Sequence, residues 1–441
     1  MAGLKRRDWI PEQTQKLTEK IVHEISAETP DEIRKRLWSL SERNRLIHEQ
    51  ECFNLDPASN VMNPRAEALM ATGLSTRPSL GYPGDKYETG LEAIEEIEVV
   101  CAQLCAEVFR ADYAEIRVPS GALANLYAFM ATTQPGDTII APSAQIGGHI
   151  THHGAGCAGL HGLTTLPAPI DAENYTIDID ALRILAQEAR PSLITIGGSL
   201  NLFPHDVPAI RDVADTVGAK LLFDAAHLSG IIAGGAWPNP LEQGAHMMTM
   251  STYKSLGGPA GGLIVTSDAA LAKKIESIAF PGMTANFDAG VSAALALTML
   301  DWQEYGEAYA KMTVATAQAF AHELAQDGIK VYAADKGYTQ SHQFAVCAEE
   351  FGGGQAAAAQ LRRAGFLASG IGLPVETAPG EMAGLRIGTP ELVRWGVTVE
   401  DVPAIAGWVA KALRSKHPEK LADDVAALRQ QFSQLHFMNA S

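Results

Sequence analysis

From about residue 90 the chain alternates between two hydrophobic rhythms. In LEAIEEIEVVCAQLCAEVF, Ile94, Ile97, Cys101, Leu104 and Val108 recur at helical spacing and mark one apolar face. Short continuous apolar runs predict buried strands in AEIRVPS, DTIIAPS (137–143), SLITIGGS (192–199), AKLLFDAAH (219–227), HMMTMSTYK (246–254) and GGLIVTS (261–267). Helical stretches such as PAIRDVADTVGA lie between them, and this order predicts an α/β fold whose mostly parallel sheet is covered by helices. Ligands then gather at the carboxyl ends of the strands.

Residues 1–60 are charged and helical in pattern, with Leu37, Leu40, Leu46 and Ile47 as intermittent apolar positions, which suits an N-terminal arm packing on another surface such as a second subunit. Residues 61–305 form the expected large domain. Beyond it, helical segments mix with KVYAADKG, SHQFAVCAEE and GLRIGTP, so 306–441 reads as a smaller α+β C-terminal domain. No internal repeat or low-complexity linker interrupts the pattern.

The net charge of -17 argues against a nucleic-acid partner, because phosphate binding needs a basic face and the lysines and arginines are scattered. Five cysteines, with no CxxC pair, suggest neither a disulfide framework nor a zinc knuckle, and point to a reducing compartment. The start, MAGLKRRDW, continues into polar residues, and no apolar run reaches the roughly 18 residues of a membrane span, so the expected location is the cytoplasm.

Candidate chemistry concentrates in STYKSLGGPAGG, where Lys254 ends an apolar strand and is followed by Gly257, Gly258, Gly261 and Gly262. Glycines let backbone approach a bulky ligand, and a lysine held there can form an imine with an aldehyde. A strand-terminal lysine beside a flexible turn fits the same residues. In LLFDAAHLSG, Asp224 and His227 follow another strand and should emerge at the same sheet edge. A carboxylate so placed can keep a pyridinium nitrogen protonated, which is what pyridoxal phosphate needs to act as an electron sink; a capping Asp and a packed core His are the competing readings.

Ser120 and Gly121 join a strand to a helix in VPSGALANLYAFMA, a candidate phosphate site as well as an ordinary N-cap. Arg386, alone among apolar residues in GLRIGTP, suits bidentate capture of a carboxylate, with a structural ion pair as the alternative. GGHITHHG supplies His149, His152 and His153, but no neighbouring Asp, Glu or Cys completes a metal-ligand set. His149 stacked on a cofactor ring explains the cluster better, with His152 and His153 as loop or capping residues.

With these residues in this order, the chain resembles serine hydroxymethyltransferase along about residues 50 to 410, through GYPGDKY (81–87), GGHITHHG, DAAHLSG, STYKSLGGPAGG and GLRIGTP. The resemblance implies a type I, aspartate-aminotransferase-like pyridoxal-phosphate fold and a homodimer, or dimer of dimers, with shared active sites. It assigns Lys254 to the cofactor aldehyde, Asp224 to the pyridine nitrogen, and His149 to the ring face. Ser199 and His227 fall near the ring hydroxyl, Ser120, Gly121 and Ala122 at the phosphate, and Arg386 and Tyr87 at the substrate.

Several positions depart from the family pattern. A tyrosine and a catalytic glutamate expected before GYPG are Pro78 and Leu80; the second tyrosine after it is Glu88; the histidine before the lysine is Tyr253; and the second serine of the phosphate loop is Ala122. The family's glycine-rich loop is PGMTANF (281–287), and an asparagine that holds the pteridine is Ile371 in GFLASGIGLPVETAPG. These changes fall on folate and one-carbon handling, so the expected protein is a folate-independent relative. It is similar to the α-methylserine aldolase, threonine-aldolase-like or transaldolase branches.

Its expected reaction is retro-aldol cleavage of a β-hydroxy-α-amino acid, with Arg386 orienting the Cα–Cβ bond and Glu88 or His149 as the base for the β-hydroxyl. A folate-dependent serine or 2-methylserine hydroxymethyltransferase is the alternative, and a non-catalytic relative the third reading.

Overall fold

The computed structural model describes residues 4–375 and 382–440. The first three residues of the amino-terminal stretch and the end of GFLASGIGLPVETAPG, from residue 376, lie outside the described residues.

Seven strands build the central sheet: β1 Tyr113–Glu115, β2 Thr138–Ala141, β3 Thr164–Pro167, β4 Leu193–Gly197, β5 Lys220–Asp224, β6 Met247–Ser251 and β7 Gly262–Thr266, in spatial order β1-β7-β6-β5-β4-β2-β3. All run parallel except β7, which is antiparallel to both β6 and β1. β4, β6 and β7 are buried at every position, as strands covered on both faces must be. The covering helices carry the expected signals. Val207–Val217 starts at Asp206, whose side chain accepts from the Ala209 N–H, and stops at Gly218 in the left-handed conformation.

Two local expectations shift. The strand expected in AEIRVPS ends at Glu115, because that carboxylate takes the Arg117 N–H at 2.8 Å and its guanidinium at 2.8 and 2.7 Å, bending the chain out of the ladder. In the helix Glu92–Phe109, Glu98 is buried alongside Ile94 and Cys101, since it pairs with Lys86 at 2.7 Å below the GYPGDKY hairpin.

Helix Ala289–Gln326 runs unbroken for 38 residues, from Asp288 as N-cap, through the boundary expected at residue 305. Its first part packs on the core around the central sheet and its last part on a second core that includes Phe320, Phe344 and Leu385. That second core backs a three-stranded antiparallel sheet of β8 Gln343–Cys347, β9 Ser369–Ile371 and β10 Gly384–Gly388, with β10 in the middle. KVYAADKG forms no strand there, only a bridge from Val331 to Val346 before a turn at Ala334–Lys336. The amino-terminal helices Glu12–Ser26 and Pro30–Leu46 leave Trp9, Leu37, Trp38 and Leu40 exposed. No helix among the described residues is long and apolar enough to cross a membrane.

Candidate active site

Asp224 ends a parallel strand, and Ser120, His149, Ser199 and Lys254 follow the carboxyl ends of others, so the topology brings them to one edge of the sheet. Past β1, Ser120 caps the helix Gly121–Thr132, its Oγ accepting from the Leu123 N–H at 3.2 Å. First-turn N–H groups, those of Gly121 and Ala122 included, have no acceptor within their helix and offer an anion site. A Cβ on Gly121 would lie 2.0 Å from Ser251 Oγ, so a glycine lets the helix start this close to β6. Gly197, at φ +84°, ends β4 where a Cβ would meet the Asp224 carbonyl at 2.2 Å, and turns the chain toward Ser199.

Asp224 is the hub of a buried network. Its Oδ2 accepts from His152 Nε2 at 2.8 Å and Asn125 Nδ2 at 2.9 Å, and its Oδ1 from the Ala226 N–H at 3.0 Å. Asn125 is held in turn by the Thr249 hydroxyl at 2.7 Å, from β6. Burial alone would push the Asp224 carboxyl up, but the hydrogen bonds and charge it meets, led by His152, hold it well below the usual carboxylate range. His152 is therefore a buried partner of the carboxylate, 2% exposed, and not the loop or capping residue expected from its place in GGHITHHG. His153 does cap the short turn Ile150–His152, with Nε2 on the Pro142 carbonyl at 2.9 Å.

A cavity of about 930 Å³ opens between this edge and the three-stranded sheet. Its polar lining includes Gln145, His149, His153, Ser199, His227, Tyr253, Lys254 and Arg386, and Ile150, Ile371, Leu373 and Met382 belong to its apolar part. Lys254 is 7% exposed, and burial, the largest influence, pushes its ammonium down to about 8. His149 Nδ1 lies 2.9 Å from the Thr151 hydroxyl and accepts the Thr151 N–H at 3.4 Å. The backbone contact assigns the ring proton to Nε2. His227, buried and held well below its ordinary pKa by burial, is neutral; its Nε2 faces Arg386 Nη1 at 3.4 Å and its Nδ1 has no partner among the described residues.

Arg386, in the centre of β10, donates from Nη1 to the Ser199 carbonyl at 2.7 Å and from Nη2 to Ser369 Oγ at 2.9 Å and Asp56 Oδ1 at 3.2 Å. Tyr87 and Glu88 stand apart from the cavity of their own chain: Tyr87 is 83% exposed, and Glu88 is half-buried with no partner for Oε2 among the described residues. Asn125, His152, Asp56 and Ser369 went unrecognised in the sequence. Only the histidine, inside a cluster already of interest, carried a local signal.

Three features fit a phosphate-bearing aldehyde on a basic ring: a buried lysine whose ammonium makes no hydrogen bond among the described residues, a buried ionised carboxylate behind it, and the orphaned Nδ1 of His227. A family model described as serine hydroxymethyltransferase matches residues 32–409. An alpha-methylserine aldolase of Ralstonia sp is 55% identical over 436 residues, covering 99% of this chain and 100% of that protein. One from Variovorax paradoxus is 60% identical over 422 residues, 96% of each. The serine hydroxymethyltransferase of Methanopyrus kandleri is 37% identical over 391 residues, 88% of this chain and 91% of its own. With four of the five family motifs contributing to one cavity and the family's model spanning most of the length, this chain belongs to the serine hydroxymethyltransferase family of pyridoxal-phosphate-dependent enzymes.

Proposed function

We propose that this protein is a pyridoxal-phosphate-dependent aldolase that cleaves β-hydroxy-α-amino acids of the α-methylserine type without tetrahydrofolate. The observation that carries the reading is the apolar part of the cavity, where Ile371, which the family resemblance matches to a pteridine-binding asparagine, lies with Leu373, Met382 and Ile150 in the lining. Ile150, Ile371 and Leu373 carry no hydrogen-bonding group, and the Met382 thioether is only a weak acceptor, so none replaces the amide of an asparagine. The names of the 55% and 60% identical relatives support the same reading.

Lys254 would hold the cofactor aldehyde, the N–H groups of Gly121 and Ala122 with Ser120 its phosphate, Asp224 its ring nitrogen, His149 its ring face, and Ser199 and His227 its ring hydroxyl. Bound there, pyridoxal phosphate supplies a sink for the electron pair released when Cα–Cβ breaks. Asp224, kept ionised by His152 and Asn125, holds the ring nitrogen protonated. Arg386 binds the substrate carboxylate and fixes which bond to Cα stands across the ring. The β-hydroxyl loses its proton as its carbon becomes the aldehyde, and Cα gains a proton in exchange.

His149 presents an Nε2–H, which donates and cannot take the hydroxyl proton at that atom. Glu88 lies outside the cavity of its own chain, so as a base it would serve a second copy's site. A homodimer would also cover Trp9, Leu37, Trp38 and Leu40 of the arm, while Tyr87 would reach substrate across the same interface. In this reading the three-stranded sheet with its helices is the smaller domain, joined to the larger through helix Ala289–Gln326.

The test is a screen of the cofactor-loaded enzyme with α-methylserine, serine and threonine, each with and without tetrahydrofolate, following formaldehyde or acetaldehyde. The reading requires α-methylserine to release formaldehyde at a rate indifferent to tetrahydrofolate. Stimulation by tetrahydrofolate would replace it with a folate-dependent hydroxymethyltransferase.

A further inference from the structure

The guanidinium expected to receive the substrate carboxylate already has an anion of its own. Asp56 Oδ1 accepts from Arg386 Nη2 at 3.2 Å, while Arg386 Nε, on the same edge of the guanidinium, is buried without an acceptor among the described residues. Asp56 does not reach this place by chance rotation. Its Oδ1 is also held by the Ala58 N–H at 3.0 Å and the Ser369 hydroxyl at 3.1 Å, and Ser369 Oγ accepts from the same Nη2 at 2.9 Å.

The fold imposes the meeting. Phe53 and Asn54 pair in parallel with Phe366 and Leu367, the Leu55 N–H continues onto the Leu367 carbonyl, and two residues beyond Leu367 stands Ser369, opposite Arg386 in the next ladder. Asp56 is thus delivered beside both side chains, and Ala58, in the same turn, lines the cavity.

Two carboxylates sharing one cation repel each other, and in a site this buried the repulsion is only partly screened. Arg386 is 6% exposed and the Asp56 side chain 26%. A charge there acts equally on substrate and on the amino-acid product, which carries the same carboxylate; it weakens uniform binding and favours departure of product.

We propose that Asp56 is a positioning residue that orients the Arg386 guanidinium through Nη2 and Ser369 and, as a fixed anion, sets a deliberately weak grip on amino-acid carboxylates. The inference rests on the reading of Arg386 as the substrate-carboxylate site. Asp56→Asn separates the two roles, because the amide oxygen can still accept from Ala58, Ser369 and Arg386 while the charge is gone.

The probe is 2-aminoisobutyrate, an α-methyl amino acid with no β-hydroxyl to cleave, titrated calorimetrically into the cofactor-loaded enzyme. Isopropylamine, the same amine without the carboxylate, is the control. Asp56→Asn should bind 2-aminoisobutyrate about tenfold more tightly, as expected for removing one repelling charge at this range, with isopropylamine unchanged. Asp56→Ser, which also removes the charge and keeps an oxygen acceptor, should move in the same direction. Asp56→Ala should lower kcat for α-methylserine cleavage, with rescue by the Asn variant.

Unchanged or weaker binding of 2-aminoisobutyrate by both the Asn and Ser variants overturns the proposal. Arg386→Ala distinguishes the two levels of argument. If that variant binds 2-aminoisobutyrate as the parent enzyme does, the carboxylate site itself is misassigned; if it loses binding while the Asp56 variants are unaltered, only the role of Asp56 falls.

Discussion

Replacing His152 by leucine tests whether the imidazole sustains the charge of Asp224. Leucine keeps an apolar body against Phe129, whose ring centroid lies 5.5 Å from that of His152, but removes one of the two side-chain donors on Oδ2. A hydrogen bond to a charged group contributes about 1.5–3 kcal/mol. At about 1.4 kcal/mol per pKa unit, the Asp224 carboxyl should therefore rise by roughly one to two units. It starts well below the usual range and keeps Asn125 and the Ala226 N–H, so it stays ionised at neutral pH.

The stability effect has a definite sign. A carboxyl depressed in the folded state contributes stability that is fully present above its unfolded value, about 3.9, and is lost as pH falls through the folded value. The variant should thus be less stable by about 1.5–3 kcal/mol from neutral pH down to about pH 5, with the gap narrowing below about pH 4. Urea unfolding followed by circular dichroism, at one protein concentration and saturating cofactor, measures the gap at each pH. Equal midpoints at pH 7, or a gap that widens on acidification, would refute the assignment.

Lys254 carries the opposite pH signature in cofactor-free protein. With its ammonium pushed down to about 8 by burial, the unfolded chain, near 10.4, binds more protons between those values, so stability should climb by about 3 kcal/mol from pH 8 to 10.4. Lys254→Met should abolish that slope, and parallel pH profiles for the two proteins would contradict the burial argument. At the phosphate site, Ala122→Ser adds a hydroxyl in the first helical turn, next to the backbone N–H groups and Ser120 expected to serve the anion. Cofactor dissociation should slow roughly fivefold, the effect of one added hydrogen bond of about 1 kcal/mol; an unaltered rate would place the phosphate elsewhere.

What the sequence determined by itself is whatever depends on local pattern. Apolar runs place β2 and β4 to β7 within one to three residues at each end, because a strand buried on both faces is predominantly apolar. Short motifs at strand ends nominated Lys254, Asp224, His149 and Ser120, and the family resemblance added Ser199, since a parallel sheet puts the ends of its strands at one edge whatever lies between them. Even the false start at AEIRVPS had a local cause that composition does not display: Glu115 reaches two residues on, to Arg117.

Only the tertiary structure decided which polar side chains complete the site. His152 and Asn125 meet Asp224 across 72 and 99 residues, and Asp56 meets Arg386 across 330. No periodicity encodes such a meeting, because each follows from strand register and from which face of a helix or turn points inward. Tyr87 and Glu88 show the converse: their motif is legible, but the fold of one chain holds that hairpin on the Lys86–Glu98 pair, away from the cavity of the same chain. Local chemistry nominates residues, whereas long-range packing selects among them, since a buried charge persists only where distant parts of the chain supply its partners.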